Sequence, residues 1–146
     1  MLLVDVDLSP VPPDHLASLV SCVTGSVGVM NVSGCDLVTI LDSIKCEELV
    51  IDSQSLGREE TQALVQAMES GVEEVRLTNG VTLDIENLTE YSGQGVCRKV
   101  ELFLDVSERA DRYREGMRTW ARSRNWSVSD GNKFLFTINR ENNTSD

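Results

Sequence analysis

One phrase recurs along this chain and limits what it can fold into: an apolar residue, two variable residues, an apolar residue, one variable residue, an apolar residue. Cys46, Leu49 and Ile51 form one copy, Val72, Val75 and Leu77 a second, and Cys97, Val100 and Leu102 a third. Nearer the amino terminus Val27, Met30 and Val32 fit the same frame, as do Met1, Val4 and Val6. The central positions are 4, 30, 49, 75 and 100, so the steps are 26, 19, 26 and 25 residues. Self-similarity at a near-constant period is the mark of stacked units. A unit of this size cannot bury its apolar surface alone, whereas neighbours in a row share one continuous core.

Each unit has two halves. The first alternates apolar and polar residues, as in "VDVDL", "EELVID", "EEVRL" and "KVELFL", which is strand periodicity. The second half carries helical spacing. Leu16, Leu19, Val20 and Val23 share one helical face, as do Leu37, Ile40, Leu41 and Ile44, then Leu64, Ala67 and Met68, then Ile85 and Leu88 with Tyr91 nearby. The last face is Ala110, Tyr113, Met117 and Trp120. Junction signals agree. Prolines in "VPPDH" precede a helix start, Asp36 and Asp84 are placed to cap helix N-termini, and Gly25, Gly71 and Gly95 close helices.

These residues resemble leucine-rich repeats of the long, ribonuclease-inhibitor-like type. The best match is "CEELVIDSQSLGREETQALVQAMESGVEEVRL", with Leu49, Ile51, Leu56, Leu64 and Met68 at aliphatic positions. The resemblance implies an α/β solenoid, a short and irregular horseshoe of about five strand–helix units with a parallel inner sheet. It covers residues 1–124. The family sets Asn or Cys after each strand, whereas Ser9, Cys35, Gln54, Gly80 and Asp105 stand there here, so that polar ladder is expected to be degenerate. Similar arrays form the C-terminal sensors of NOD-like receptors, which implies a ligand-sensing or autoinhibitory segment of a larger, cytoplasmic innate-immune receptor. The competing fold is an ordinary α/β domain with helices on both faces of a parallel sheet.

The carboxy-terminal part reads differently. "SERADRYREGMRTWARSRNW" is the longest helical stretch. Residues 125–140 read as a capping hairpin turning at Asp130-Gly131, with Trp126, Val128, Phe134, Phe136 and Ile138 over the last repeat. Residues 141–146 read as a disordered polar tail. The first strand, "MLLVDVDL", has no polar cap before it, which favours a fragment of a longer chain.

Charge and motifs narrow the function. The net charge is −11, with 16 acidic and 3 basic side chains in residues 1–97 against 8 and 10 in residues 98–146. Such a body repels nucleic acid and anionic membranes and suits a basic protein partner. Cys22, Cys35, Cys46 and Cys97 form no C-x-x-C pair, and His15 is the sole histidine, so neither a metal site nor a cofactor is expected. There is no G-x-S-x-G, H-E-x-x-H or phosphate-loop motif, and His15 beside Cys22 is a weak catalytic pair. Adjacent acids such as Glu47-Glu48 and Glu73-Glu74 should point to opposite faces of a strand, which makes poor acid–base dyads.

The remaining candidate is a non-catalytic, protein-binding concave sheet. The expected outward residues are Asp5, Asp7, Asn31, Glu48, Val50, Asp52, Glu74, Arg76, Glu101 and Phe103, with Thr78 and Lys99 in the same rows. Charge would steer a partner, and Val50 and Phe103 would anchor it. The alternatives are a small α/β enzyme with a loop-built site and a structural or oligomerisation segment. The arginines of the last helix, Arg109 to Arg124, suit a solvated helix or complementarity to the acidic body.

Overall fold

The computed structural model describes residues 1–105, 107–130 and 135–140. The chain is α/β. Its strands are β1 (Leu2–Val4), β2 (Ser26–Met30), β3 (Cys46–Asp52), β4 (Val72–Thr78), β5 (Lys99–Phe103), β6 (Trp126–Asp130) and β7 (Leu135–Arg140). Between them run α1 (Pro13–Ser21), α2 (Gly34–Ser43), α3 (Arg58–Ser70), α4 (Ile85–Leu88) and α5 (Glu108–Ser123). One 7-stranded sheet has the order β1-β2-β3-β4-β5-β7-β6. The first five strands are parallel and follow chain order, and β7 and β6 are added antiparallel.

Strands that pair in chain order, joined by right-handed crossovers, put every connecting helix on the same side. The helices pack as a single file, α1 on α2, α2 on α3, α3 on α4 and α4 on α5. Burial agrees with a one-sided layer. Val27 and Val29, Leu49 and Ile51, Val75 and Leu77, and Val100 and Leu102 are buried, while their in-strand neighbours Gly28, Val50, Arg76 and Glu101 are only half-buried.

Each helix starts for a local reason. Ser33 caps α2 by accepting from the Asp36 backbone N–H, and its hydroxyl donates to the Asp36 carboxylate at 2.9 Å. The Gly57 N–H donates to Glu60 Oε1 at 2.8 Å at the head of α3. Asp84 accepts from Glu86 N at 3.1 Å for α4, and Ser107 from Ala110 N at 3.0 Å for α5. Asp84 thus caps as expected. Asp36 does not: it sits one turn inside, and Ser33 holds the cap.

The last units are locked by an aromatic cluster. Tyr91 stacks on Trp120 at 5.4 Å between ring centroids, and Trp126 sits against both rings. Trp120 Nε1 donates to the Leu88 carbonyl at 3.0 Å and Trp126 Nε1 to the Gly93 carbonyl at 3.1 Å. The Arg124 guanidinium donates to the Tyr91 and Thr89 carbonyls. Three of these donor bonds hold the irregular segment that follows α4, and the fourth holds the last residue of α4. Gly95 in that segment lies so close to α3 that a Cβ would stand 2.5 Å from the Glu69 carbonyl oxygen, and its φ of +110° suits glycine alone.

Several sequence expectations are corrected. The second unit is the short one, as expected, but by less than a 19-residue step implies. Val27, not Met30, lies level with Leu49, and Met30 lies level with Asp52, so the step across these strands is 22 residues. Met30 shares the uncovered face with Gly28, and Val32 is buried beyond the strand end. Likewise Leu3 pairs with the core residue Val29, whereas Val4 pairs with Met30 and Val6 is exposed. Leu19, expected on the buried face of α1, is 55% exposed. Gly71 follows α3 with φ −147°, outside the left-handed region.

In the hairpin Asp130 is the last residue of β6 and pairs with Phe136. Gly131, and with it the turn expected at Asp130-Gly131, lies outside the described residues. Phe134 and the tail 141–146 lie outside the described residues. Trp126, Phe136 and Ile138 are buried as expected, and β7 pairs along β5 within the same sheet.

The corrected register has a direct test. Val27→Ala should cost about 2 kcal/mol in urea unfolding, because it opens a void in a closed core. Met30→Ala should cost less than about 1 kcal/mol. Equal losses would restore the shorter spacing.

Candidate functional site

The uncovered face of the sheet is a grid whose columns are strands and whose rows are level residues. One row runs Ser26, Glu48, Glu74, Lys99, Asn139 and Ser127. The next runs Leu2, Gly28, Val50, Arg76, Glu101 and Thr137. A third holds Val4, Met30, Asp52 and Thr78. Phe103 follows Leu102, which is level with Leu77, so it extends this third row and pairs with Leu135.

Seven of the expected residues therefore share the face: Glu48, Val50, Asp52, Glu74, Arg76, Glu101 and Phe103. Asp5, Asp7 and Asn31 do not. β1 ends at Val4 and β2 at Met30, so these three lie past the strand ends, and the outward residues of β1 are Leu2 and Val4. The error has one cause. Asp5 and Asn31 have φ of 50° and 52°, left-handed values that end the alternation on which the face was assigned.

The face is not uniformly acidic. Arg76 stands at its centre, with Nη2 3.2 Å from Glu101 Oε1 and 3.7 Å from Glu48 Oε2. Lys99 Nζ reaches Glu101 at 3.7 Å, and Arg98 reaches Glu74 at 3.1 Å. Glu101 is mostly shielded, with a side chain 13% exposed, so its two cations are its natural counter-ions. At such half-exposed sites each pair is worth well under about 1 kcal/mol, and the network fixes geometry more than stability. Toward β1 the same face becomes apolar. Leu2, Val4, Met30 and Val50 line a shallow depression of about 530 Å³ with Asp52 at its rim.

A polar ladder borders the face, four residues before Ser9 and Cys35 and one before Gln54 and Gly80, the positions expected from the sequence. Asp5, Asn31, Ser53 and Asn79 each follow a strand residue of one aligned row, and all have positive φ, from 47° to 57°. Asn and Asp tolerate this conformation better than other side-chain-bearing residues. Asn31 Nδ2 donates to Asp5 Oδ1 at 2.5 Å, and Asn79 Nδ2 to Asp52 Oδ1 at 2.5 Å. Gln54 braces the next turn by accepting from Val32 N at 2.8 Å and donating to Val32 O at 2.6 Å. The recurrence of Asx at 5, 31 and 79 was the signal available in the sequence.

The groups suited to chemistry are dispersed. His15, Cys22 and Cys35 are exposed. Cys46 and Cys97 are buried, and burial pushes both thiols up to about 11, with nearby Glu48 adding to the effect at Cys46. Both are therefore protonated and poorly nucleophilic near neutral pH. Among the described residues no group of three or more His, Cys, Asp and Glu is placed to hold a metal. No helix among them is long and apolar enough to cross a membrane.

One expectation about the acids is corrected. Cys46 and Leu49 both enter the core, so both intervening residues leave it, and Glu47 and Glu48 line one depression with Glu73, Glu74 and Arg98. A second concavity, of about 710 Å³, lies between the ends of β4 and β5 and the head of α5, beside Asp105, Arg109, Arg112 and Tyr113.

Comparison with protein-family models, curated proteins and solved structures found no match.

The ladder sets a measurable titration. The Asn79 amide, with help from Ser53 and Thr78, holds the Asp52 carboxyl below the ordinary 3.8. A depressed folded value means that the stabilisation is complete above the unfolded value and is lost as pH falls through the folded one. Asn79→Ala should move the Asp52 carboxyl-carbon titration up toward 3.8. An unchanged midpoint would show that the amide is not what holds the charge.

Proposed function

We propose that the chain is a non-catalytic protein-recognition module, built as a row of leucine-rich-repeat-like strand–helix units, that binds a partner across the open face of its sheet. The observation that carries the reading is the combination of one covered and one uncovered face. Helices bury one side of every parallel strand, and the other side presents level rows of Glu48, Arg76, Glu101 and Lys99 next to Val50 and Met30. A rigid sheet holds these side chains at spacings fixed by strand separation, about 4.8 Å, so a matching surface meets them with little reordering. The rows combine fixed charges, which orient a partner, with apolar side chains that gain from losing water.

A sensing or autoinhibitory segment of an intracellular innate-immune receptor, and a basic protein as the ligand, are the specific forms of this reading. The repeat spacing, the resemblance it carries and the excess of carboxylates in residues 1–97 support them.

Affinity capture with quantitative mass spectrometry tests the face. Arg76→Glu with Phe103→Ser changes two outward side chains and no core contact, so the circular dichroism spectrum should match wild type. Proteins retained by the wild type should be depleted roughly tenfold or more on the variant, the effect of losing about 1.4 kcal/mol. An identical retained set would remove the open face as the binding surface.

A further inference from the structure

The structure assigns a second recognition element, independent of the open face: the free edge of β1, which we propose accepts an extended basic segment of another protein as an added strand. Among the described residues β1 pairs with β2 alone. Gly28 N donates to Met1 O at 2.8 Å, and Asp5 N donates to Met30 O at 3.0 Å. In a parallel ladder alternate residues bond the same neighbour, so Met1, Leu3 and Asp5 turn their backbone toward β2. Leu2 and Val4 then direct N–H and C=O groups away from the sheet, ready for an incoming strand.

β1 is only 3 residues long, which limits pairing, but its edge carries none of the side-chain devices that block it. Lysines, prolines and bulges keep edge strands from pairing. Here β1 is Leu-Leu-Val, and no lysine or arginine occurs before Lys45. The apolar residues that the fold leaves exposed also gather at this end. Leu2 is 72% exposed and Leu19 55%, with Val11 and Val6 next, and only Val96 among the described large apolar residues is comparably exposed elsewhere. Leu2 lies across Gly28, where a Cβ would stand 2.8 Å from its Cδ1, so this leucine forms part of the apolar depression. Leu19 belongs to α1, the end helix of the file. An added strand would thus meet apolar surface beside both faces of the edge.

Charge decides the occupant. Residues 1–44 carry Asp5, Asp7, Asp14, Asp36 and Asp42 and no lysine or arginine. A second copy pairing β1 to β1 would bring two such ends together, and like charges oppose that contact. A segment with alternating apolar residues and flanking lysines or arginines would add backbone bonds, cover Leu2 and Leu19, and place its cations among these carboxylates.

The probe is a synthetic peptide of alternating valine and threonine with two lysines at each end, followed by fluorescence anisotropy with the intact chain. Controls replace the lysines with glutamates or the central valine with proline. The lysine peptide should bind saturably and shield the Leu2 and Val4 amides from hydrogen exchange. The proline and glutamate peptides should not bind. Leu2→Ser with Leu19→Ser should weaken binding about tenfold or more. Asp5→Asn with Asp7→Asn and Asp14→Asn should flatten its salt dependence. Arg76→Ala with Phe103→Ser, on the open face, should leave it intact, which separates this element from the face.

Three results would each overturn the edge assignment: no binding up to millimolar peptide, equal binding of the proline peptide, or sensitivity to the open-face variant alone. Sedimentation showing self-association that Leu2→Ser abolishes and the peptide fails to displace would give the edge to a second copy instead.

Discussion

Two rows of aliphatic side chains, running at right angles to the strands, hold the rest of this structure in place. One row is Val27, Leu49, Val75, Val100 and Ile138, and the other is Leu3, Val29, Ile51, Leu77, Leu102 and Phe136. Apart from Leu3 at the edge, every member is at most 1% exposed. The helices close over these rows with Leu16, Val20, Leu37, Ile40, Leu41, Leu64 and Met68. Because side chains alternate along a strand, burying one row set leaves the residues between them on the other face. The open face is thus a consequence of the core, and a slip of one residue in any strand would exchange the two.

This explains which parts of the fold were legible. Where the apolar frame lies wholly within a strand, as at Leu49 and Ile51, Val75 and Leu77, and Val100 and Leu102, the alternation assigns core and open face correctly. At Met30 and Val32 and at Val4 and Val6 the same spacing straddles Asn31 and Asp5. Those residues are left-handed, and the chain changes direction at each. Counting by twos across a turn gives the wrong face, and that single cause misplaced the second unit, the first strand and three site residues. Spacing carries no information about φ. The residue types did: three of the four ladder positions are Asn or Asp, which suit that conformation. The exposure of Leu19 was illegible for another reason. A helical face is defined by what packs on it, and at the end of a file one flank of the helix has no neighbour.

The hairpin and β1 form the two outer edges of the described sheet, and they differ in composition. β7 pairs along β5 in the antiparallel sense, and β6 behind it is edged with Ser127 and Ser129. Trp126 turns inward to the cluster with Tyr91 and Trp120. That edge is polar outside and pinned inside, the condition in which an edge strand stays unpaired. β1 has the reverse composition, apolar on both sides of its free backbone.

Charge follows the same axis. Strands that pair in chain order turn sequence position into spatial position, so the acid-rich first 97 residues and the cation-rich remainder lie at opposite ends of the sheet. The two meet at Arg76, Lys99 and Arg98, each beside a glutamate. West of that seam (toward β1) carboxylates face solvent with few counter-ions. A cationic partner of the proposed kind would be drawn to that end by the long-range field, and short-range fit would then depend on whether it engages the rows of the face or the edge beside them. The field alone cannot discriminate between these modes, since both lie in the same potential. What separates them is geometry: the edge offers backbone donors and acceptors, and the face offers only side chains.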